Sequence, residues 1–171
     1  MKFGVVIFPG SNCDQDIIYI LEKKLKQEVV KLWHKDTNLQ KVDFIILPGG
    51  FSYGDYLRSG ALARYSPIMK EIIKFANSGG YVMGICNGFQ ILTESNLLPG
   101  ALLNNTSHKF ICKNVYLKPI SQNTIITKKY TENTIKVPIA HAEGRYYADD
   151  KILSSLINND QILFKYSDKD G

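Results

Sequence analysis

The chain has 171 residues, which suits one hydrophobic core of ordinary size, and we expect residues 1–171 to form a single domain. The composition, 44% hydrophobic and 22% charged, excludes a disordered chain, and no apolar run approaches the roughly 18 residues of a membrane span. The net charge is +5, but only three of the 21 basic residues are arginine. Because nucleic-acid readers favour arginine, we expect no nucleic-acid partner. Because no apolar run is long enough to span a bilayer, we expect no membrane partner.

The first half of the sequence alternates predicted strands and helices. Phe3–Phe8 is an unbroken β-branched and aromatic run, typical of a strand buried on both faces of a sheet. The elements that follow are a helix over Ile17–Leu25, strands over Val29–Trp33 and Phe44–Leu47, a helix over Leu62–Ala76 with Pro67 at the first turn of its second part, and a strand over Tyr81–Ile85. This alternation predicts an α/β fold with a mostly parallel sheet and ligands bound at the carboxyl ends of its strands.

The second half has a different pattern. Strand-like segments cover Phe110–Leu117, Ile135–Ile139 and Ile162–Tyr166, and a short helix is predicted over Asp149–Ile157. The strands form either an antiparallel extension or later strands of the main sheet.

The cysteines indicate a reducing compartment. Cys13, Cys86 and Cys112 are odd in number and irregular in spacing, which fits free thiols rather than a disulfide framework. The apolar N-terminal stretch Met1–Pro9 has no small-residue cleavage site, so it resembles a buried strand more than a signal peptide. We therefore expect a cytoplasmic protein, in which Cys13 and Cys112 are structural.

Residues 84–88 form a candidate nucleophile elbow. The sequence Gly84-Ile85-Cys86-Asn87-Gly88 is G-x-C-x-G at a predicted strand-to-helix junction, the cysteine version of a known hydrolase motif. A nucleophile on so tight a turn requires glycine two residues before and after it, because side chains there would collide with neighbouring elements. A helix N-terminus also favours a thiolate. We therefore predict that Cys86 attacks a carbonyl group and forms a thioester.

Such a reaction needs donors for the negative oxygen that forms. The backbone N–H of Asn87 is one candidate, and the Gly49-Gly50 turn at the end of a neighbouring strand is the other. Gln90 lies four residues after Cys86, on the same helical face, and is a candidate contact of the acyl group. The aromatic residues of Phe51–Tyr56 either pack within their loop or line the site or a partner surface.

The sequence resembles the glutaminase subunits of phosphoribosylformylglycinamidine synthase, which are class I glutamine amidotransferases. Four segments carry the resemblance: FPGSNCDQD (8–16), LPGGFSYGDYLRSGALAR (47–64), GICNGFQIL (84–92) and PIAHAEGRYY (138–147). The C-x-G-x-Q element is common to class I amidotransferases, whereas the first two segments are typical of this one family. The resemblance implies a three-layer, flavodoxin-like α/β fold.

The resemblance also implies a reaction. Cys86 would attack the side-chain amide of glutamine and release ammonia to a large synthetase subunit, which uses ATP and Mg to form the amidine of formylglycinamide ribonucleotide in purine biosynthesis. A small third subunit would bridge the assembly, and the chain itself would need no cofactor or metal. Gly50 and Asn87 match the oxyanion positions of the family. Gly49, Gly50 and Gln90 match its glutamine-binding positions, with His141 as a further candidate.

One feature of the class is not found in this sequence. Class I enzymes complete a triad with His and Glu in a downstream P-H-P-E segment, which these 171 residues do not contain. We therefore expect a domain that lacks its C-terminal part, and very low glutaminase activity from these residues alone. The alternative function is a catalytically impaired docking subunit of the same complex.

Several polar residues have no assigned role at this stage. His141 and Glu143 have the H-x-E spacing of a catalytic dyad, but the resemblance implies that this segment lies on an earlier strand, separate from the triad. We therefore expect His141, Glu143 and Arg145 to shape the glutamine site or a partner interface, or to form a satisfied polar cluster. Tyr53 and Arg58 have no specific role. His34 and His108 belong to no motif, and we expect them to be ordinary polar residues.

Overall fold

The computed structural model describes residues 1–171, which divide into two compact units, Met1–Pro99 and Gly100–Gly171. No helix in either unit combines the length and the apolar character that crossing a membrane requires.

The first unit contains the alternating elements. They are β1 (Lys2–Ile7), α1 (Asp14–Tyr19), β2 (Glu28–Trp33), β3 (Phe44–Leu47), α2 (Pro67–Asn77), β4 (Tyr81–Gly84) and α3 (Asn87–Glu94), with short 3-10 turns at Ser52–Asp55 and Ala63–Tyr65. The four strands form one parallel sheet in the order β2-β1-β3-β4. The predicted parallel sheet is confirmed, and Pro67 occupies the first turn of α2, where its missing N–H costs nothing.

Alternation along the central strands separates two apolar cores. Val5 of β1 and Ile46 of β3 point to one face, where they pack with Ile18 of α1. Val6 and Ile45, each one residue away, point to the opposite face and pack with residues of α2 and α3. The unit therefore has three layers, with α1 on one side of the sheet and α2 and α3 on the other.

The first helix is less regular than its periodicity predicted. The α-helical part ends at Tyr19, and Ile20–Lys24 continues as a π-helical turn, in which the N–H of Leu25 donates to the carbonyl of Ile20 over 2.9 Å. The predicted crossover helix is thus confirmed, and its second half is π-helical. Its apolar spacing is satisfied by either helix type, since both turn Ile18 and Leu21 inward.

The second unit contains antiparallel strands and one helix. Its elements are β5 (Ala101–Leu103), β6 (Ile111–Pro119), β7 (Ile135–His141), β8 (Arg145–Tyr147), α4 (Asp150–Asn158) and β9 (Phe164–Ser167). β6 lies between β7 and β9 in a three-stranded sheet, and β5 pairs with β8. The antiparallel alternative is the one observed. β5 and β8 were not predicted, because three residues are too few to show a period.

Candidate functional site

Cys86 lies on a strained turn between β4 and α3. Its backbone has φ +54° and ψ −111°, a region that residues other than glycine rarely occupy. Its carbonyl accepts the N–H groups of Phe89 and Gln90, over 2.9 and 3.2 Å, so the residue caps the helix while its side chain is exposed. The thiol is therefore presented to solvent at the N-terminus of a helix.

The two elbow glycines occupy positions where no side chain fits. A β-carbon on Gly84 would collide with the carbonyl oxygen of Gly88, and a β-carbon on Gly88 would collide with the carbonyl oxygen of Leu47 in β3. Both obstacles are backbone atoms, which cannot rotate away as a side chain can. The G-x-C-x-G spacing thus follows from close packing of α3 against the end of β3.

The Gly49-Gly50 turn lies beside the elbow. A β-carbon on Gly49 would lie 3.4 Å from the β-carbon of Cys86 and 3.6 Å from Sγ of Cys13, so this turn separates the two cysteines. Gly50 has φ +132°, and a β-carbon there would lie 2.5 Å from Oδ1 of Asn12. The structure therefore brings Gly49 next to Cys86, as expected for neighbouring strands of a parallel sheet.

The side chain of Asn87 connects two segments of the site, which sequence reasoning did not predict. The residue is 1% exposed, and its Oδ1 accepts the N–H of Ser52 over 3.1 Å. Its Nδ2 donates to Oδ1 of Asp55 over 3.2 Å and to Oε1 of Gln90 over 3.0 Å. The side chain thus joins the loop after β3 to the helix of the elbow, while the backbone N–H of Asn87 donates to no protein acceptor.

Gln90 is buried below the elbow. It is 9% exposed, and its side-chain oxygen accepts from Asn87 within the same helix. A contact between Gln90 and glutamine stays a prediction.

The loop after β3 is anchored by two residues to which sequence reasoning gave no role. The hydroxyl of Tyr53 lies 2.6 Å from Nδ1 of His34 and 2.8 Å from Oγ of Ser66, both of which are buried. Arg58 donates two hydrogen bonds to the carboxylate of Glu94 at the end of α3, over 2.6 and 2.7 Å. His34 is therefore a buried polar residue whose ring nitrogen is paired with the Tyr53 hydroxyl.

Cys13 lies near the elbow but differs from Cys86 in its environment. Burial raises the pKa of the Cys13 thiol above its ordinary value, and the charges of Asp16, Cys86 and Asp14 add smaller rises. The partly buried position of Cys13 fits the predicted structural role.

The second unit contains the polar cluster of the 138–147 segment. Asn105, 4% exposed, is its centre: Oδ1 lies 3.0 Å from Nδ1 of His141, and Nδ2 donates to the carbonyls of His141 and Lys109. Arg145 donates to the carbonyl of Asn104 over 3.1 Å. His141 and Arg145 also line a cleft of about 490 Å³ within this unit. A glutamine contact of His141, and a role of Glu143 and Arg145 in the glutamine site or a partner interface, stay predictions.

Comparison with known proteins gives the family. A family model described as a CobB/CobQ-like glutamine amidotransferase domain matches residues 1–171. Phosphoribosylformylglycinamidine synthase subunit PurQ of Salinibacter ruber is 52% identical over 171 residues, which are 99% of this chain and 73% of that protein. The PurQ subunit of Moorella thermoacetica is 55% identical over 172 residues, covering 100% of this chain and 73% of that protein. The chain belongs to the PurQ family of glutamine amidotransferases.

Solved structures agree with this membership. A chain in the structure of PurLQS from Thermotoga maritima is 41% identical, with a TM-score of 0.80 over 99% of this chain and 76% of that one. A second glutamine amidotransferase from Thermotoga maritima is 16% identical, with a TM-score of 0.58, so it shares the fold alone. The predicted PurQ resemblance and class I amidotransferase fold are confirmed.

Proposed function

We propose that this PurQ family chain hydrolyses glutamine to glutamate and ammonia and supplies the ammonia to phosphoribosylformylglycinamidine synthase. The observation that carries the proposal is the 52–55% identity to PurQ subunits over nearly the whole chain. The exposed Cys86 on its strained turn supports the same function, because strain of this kind concentrates at functional sites. The enzyme class is then a glutaminase subunit of an ATP-dependent synthase.

The first chemical step is acyl transfer to Cys86. Its sulfur attacks the side-chain carbonyl carbon of glutamine, a C–S bond forms, and the carbonyl oxygen becomes an oxyanion. When this intermediate collapses, the C–N bond breaks and the leaving nitrogen takes the proton given up by the thiol, so ammonia departs. Water then adds to the glutamyl thioester, the C–S bond breaks, and glutamate and the free thiol are regenerated.

The oxyanion is stabilised by two backbone groups in this proposal. The N–H of Asn87 is the first of α3, so the positive end of the helix dipole adds to the stabilisation of the oxyanion. The N–H of Gly50 belongs to the turn beside Cys86, and like that of Asn87 it donates to no protein acceptor. Removing one such donor typically lowers a rate by about 10²- to 10³-fold.

A synthetase subunit would use the ammonia that this chain releases. The solved relative belongs to a PurLQS assembly, so we propose that this chain binds a large synthetase subunit and a small bridging subunit. The synthetase would use ATP and Mg to activate formylglycinamide ribonucleotide, which the ammonia converts to the amidine. We expect no cofactor in this subunit, and we expect the complex to act in the cytoplasm, where free thiols such as these three persist.

Labelling with a glutamine-like diazoketone tests the proposal. We expect modification at Cys86, identified by peptide mapping, and its suppression by glutamine but not by glutamate. The assembled synthase, made with the protein encoded by the complete gene, should then use glutamine as its nitrogen source. Synthesis from added ammonia but not from glutamine would indicate the docking subunit instead, and the absence of labelling in that assembly would contradict the glutaminase function.

A further inference from the structure

The loop that follows Gly50 is held in an unfavourable backbone conformation. Tyr53 has φ +55° and Asp55 has φ +54°, in the left-handed region that residues with a β-carbon adopt uncommonly. This loop begins at Gly50, whose N–H is the candidate oxyanion donor. The contacts that impose the conformation therefore also determine where this donor lies.

The first contact comes from the side chain of Asn87. Its Oδ1 accepts the N–H of Ser52, two residues after Gly50, and its Nδ2 donates to the carboxylate of Asp55. Asn87 thus bonds to two positions of the loop while its own backbone N–H forms the other half of the proposed oxyanion site. One residue fixes both donors relative to each other.

The second contact is the hydroxyl of Tyr53. It bonds to Nδ1 of His34 at the end of β2 and to Oγ of Ser66, the residue that precedes α2. Ser66 occupies the cap position of α2 but makes no side-chain capping bond, since its hydroxyl is directed to Tyr53. The N–H of Tyr53 also donates to the carbonyl of Pro9 over 2.6 Å, which holds the loop against the end of β1.

We propose that the Asn87 carboxamide and the Tyr53 hydroxyl are positioning groups of the oxyanion site, which hold the Gly50 N–H in register with the Asn87 N–H and Cys86. This inference rests on the proposed glutaminase function. Oxyanion donors are effective only within about 2.7 to 3.1 Å of the developing charge, so a small shift of the loop weakens catalysis. Such groups act on the transition state, and their loss should lower kcat rather than raise KM.

Two variants remove the contacts while leaving the backbone donors in place. Asn87→Ala deletes the carboxamide, and we expect kcat for glutamine hydrolysis by the assembled synthase to fall about 10- to 100-fold. Tyr53→Phe deletes one oxygen atom, and we expect a fall of about 10-fold, which corresponds to one lost hydrogen bond. KM should change by less than about 3-fold in both variants.

Matched controls use exposed residues of the same type. Asn77, at the end of α2, and Tyr19, at the end of α1, are exposed, so Asn77→Ala and Tyr19→Phe should retain kcat within about 2-fold. Ser66→Thr keeps a hydroxyl for Tyr53 and should retain more activity than Ser66→Ala. This ordering tests the hydrogen bond itself, because both substitutions change the same buried position.

The outcomes separate the inference from the function on which it rests. If Tyr53→Phe and a folded Asn87→Ala lower the melting temperature but keep the wild-type kcat, these groups stabilise the fold only and the inference is overturned. A rise in KM at constant kcat would also overturn it, since the groups would then act on substrate binding. If the wild-type assembly itself hydrolyses no glutamine, it is the proposed function that fails. Should Asn87→Ala not fold, the Tyr53→Phe and Ser66 variants decide the question.

Discussion

Ser52 and Asn87 lie 35 positions apart in the chain, yet the backbone N–H of Ser52 donates to the side-chain oxygen of Asn87 inside the protein. The bond joins the loop after β3 to the first residue of α3. In a parallel sheet these two segments leave neighbouring strands at the same edge, so a single short side chain spans them. The two halves of the proposed oxyanion site are thereby built as one unit.

The packing of α3 against β3 predicts a large cost for Gly88→Ala. The new β-carbon would collide with the carbonyl oxygen of Leu47, and neither backbone can move without disturbing the sheet. We expect the free energy of unfolding to fall by about 3 kcal/mol, although alanine is the better helix former. The measurement is urea denaturation followed by circular dichroism.

Gly79→Ala is the control for this collision. Gly79 has φ +87° but open space around its α-carbon, so alanine there suffers only from its backbone conformation, at a cost of about 1 kcal/mol. Equal costs at the two positions would contradict the packing argument.

The cysteines should differ in reactivity. Cys86 is exposed, whereas Cys13 is partly buried and burial raises the pKa of its thiol, so iodoacetamide at neutral pH should modify Cys86 faster than Cys13. Glutamine should slow the reaction of Cys86 and leave that of the exposed Cys112 unchanged. The measurement is mass spectrometry of peptides over a time course. Faster labelling of Cys13 would contradict the assigned environments.

Strands and the elbow were predictable from local sequence. The β-branched run of β1 and the two glycines around Cys86 are each recognisable within a few residues of sequence, although Gly88 is required by its contact with Leu47 of β3. The partnership of Tyr53 with His34 was not predictable, because it joins residues 19 positions apart through the fold. The same is true of Asn105, whose side chain bonds to His141 at a separation of 36 positions. Sequence patterns show periodicity and close packing, but not which polar groups meet after folding.

Burial of His34 predicts a pH dependence of stability. Burial lowers the pKa of this imidazole below its ordinary value of 6.5, and the charge of Lys35 lowers it further, while Asp36 raises it. As the pH falls below about 6.5, His34 therefore takes up a proton in the unfolded chain before it does so in the folded chain. The stabilisation that comes from burying neutral His34 is complete above that pH and is lost as the pH falls through the folded-state pKa. The free energy of unfolding changes by at most about 1.4 kcal/mol per pH unit in this range.

Denaturation of wild type and His34→Gln between pH 7 and pH 5 measures this contribution. We expect a shallower pH dependence in the variant, since the group that titrates is gone. His108 is exposed, so His108→Gln should retain the wild-type slope. A His34→Gln slope that matches wild type would show that His34 does not carry the effect.

The last prediction concerns Asn105 in the second unit. Its side chain is 4% exposed and bonds to Nδ1 and the carbonyl of His141, to the carbonyl of Lys109 and to the N–H of Gly144. Asn105→Ala would leave these groups without a partner in a space that an alanine cannot fill. We expect the free energy of unfolding to fall by about 3 kcal/mol, because a buried polar group left without a hydrogen bond destabilises the fold by more than a formed hydrogen bond stabilises it.

The control is Asn114→Ala, at an exposed position of β6, which should lower the free energy of unfolding by less than about 1 kcal/mol. Hydrogen exchange locates the effect: faster exchange confined to the amides of residues 105–109 and 141–144 would support Asn105 as the centre of the cluster, and unchanged exchange there would contradict it.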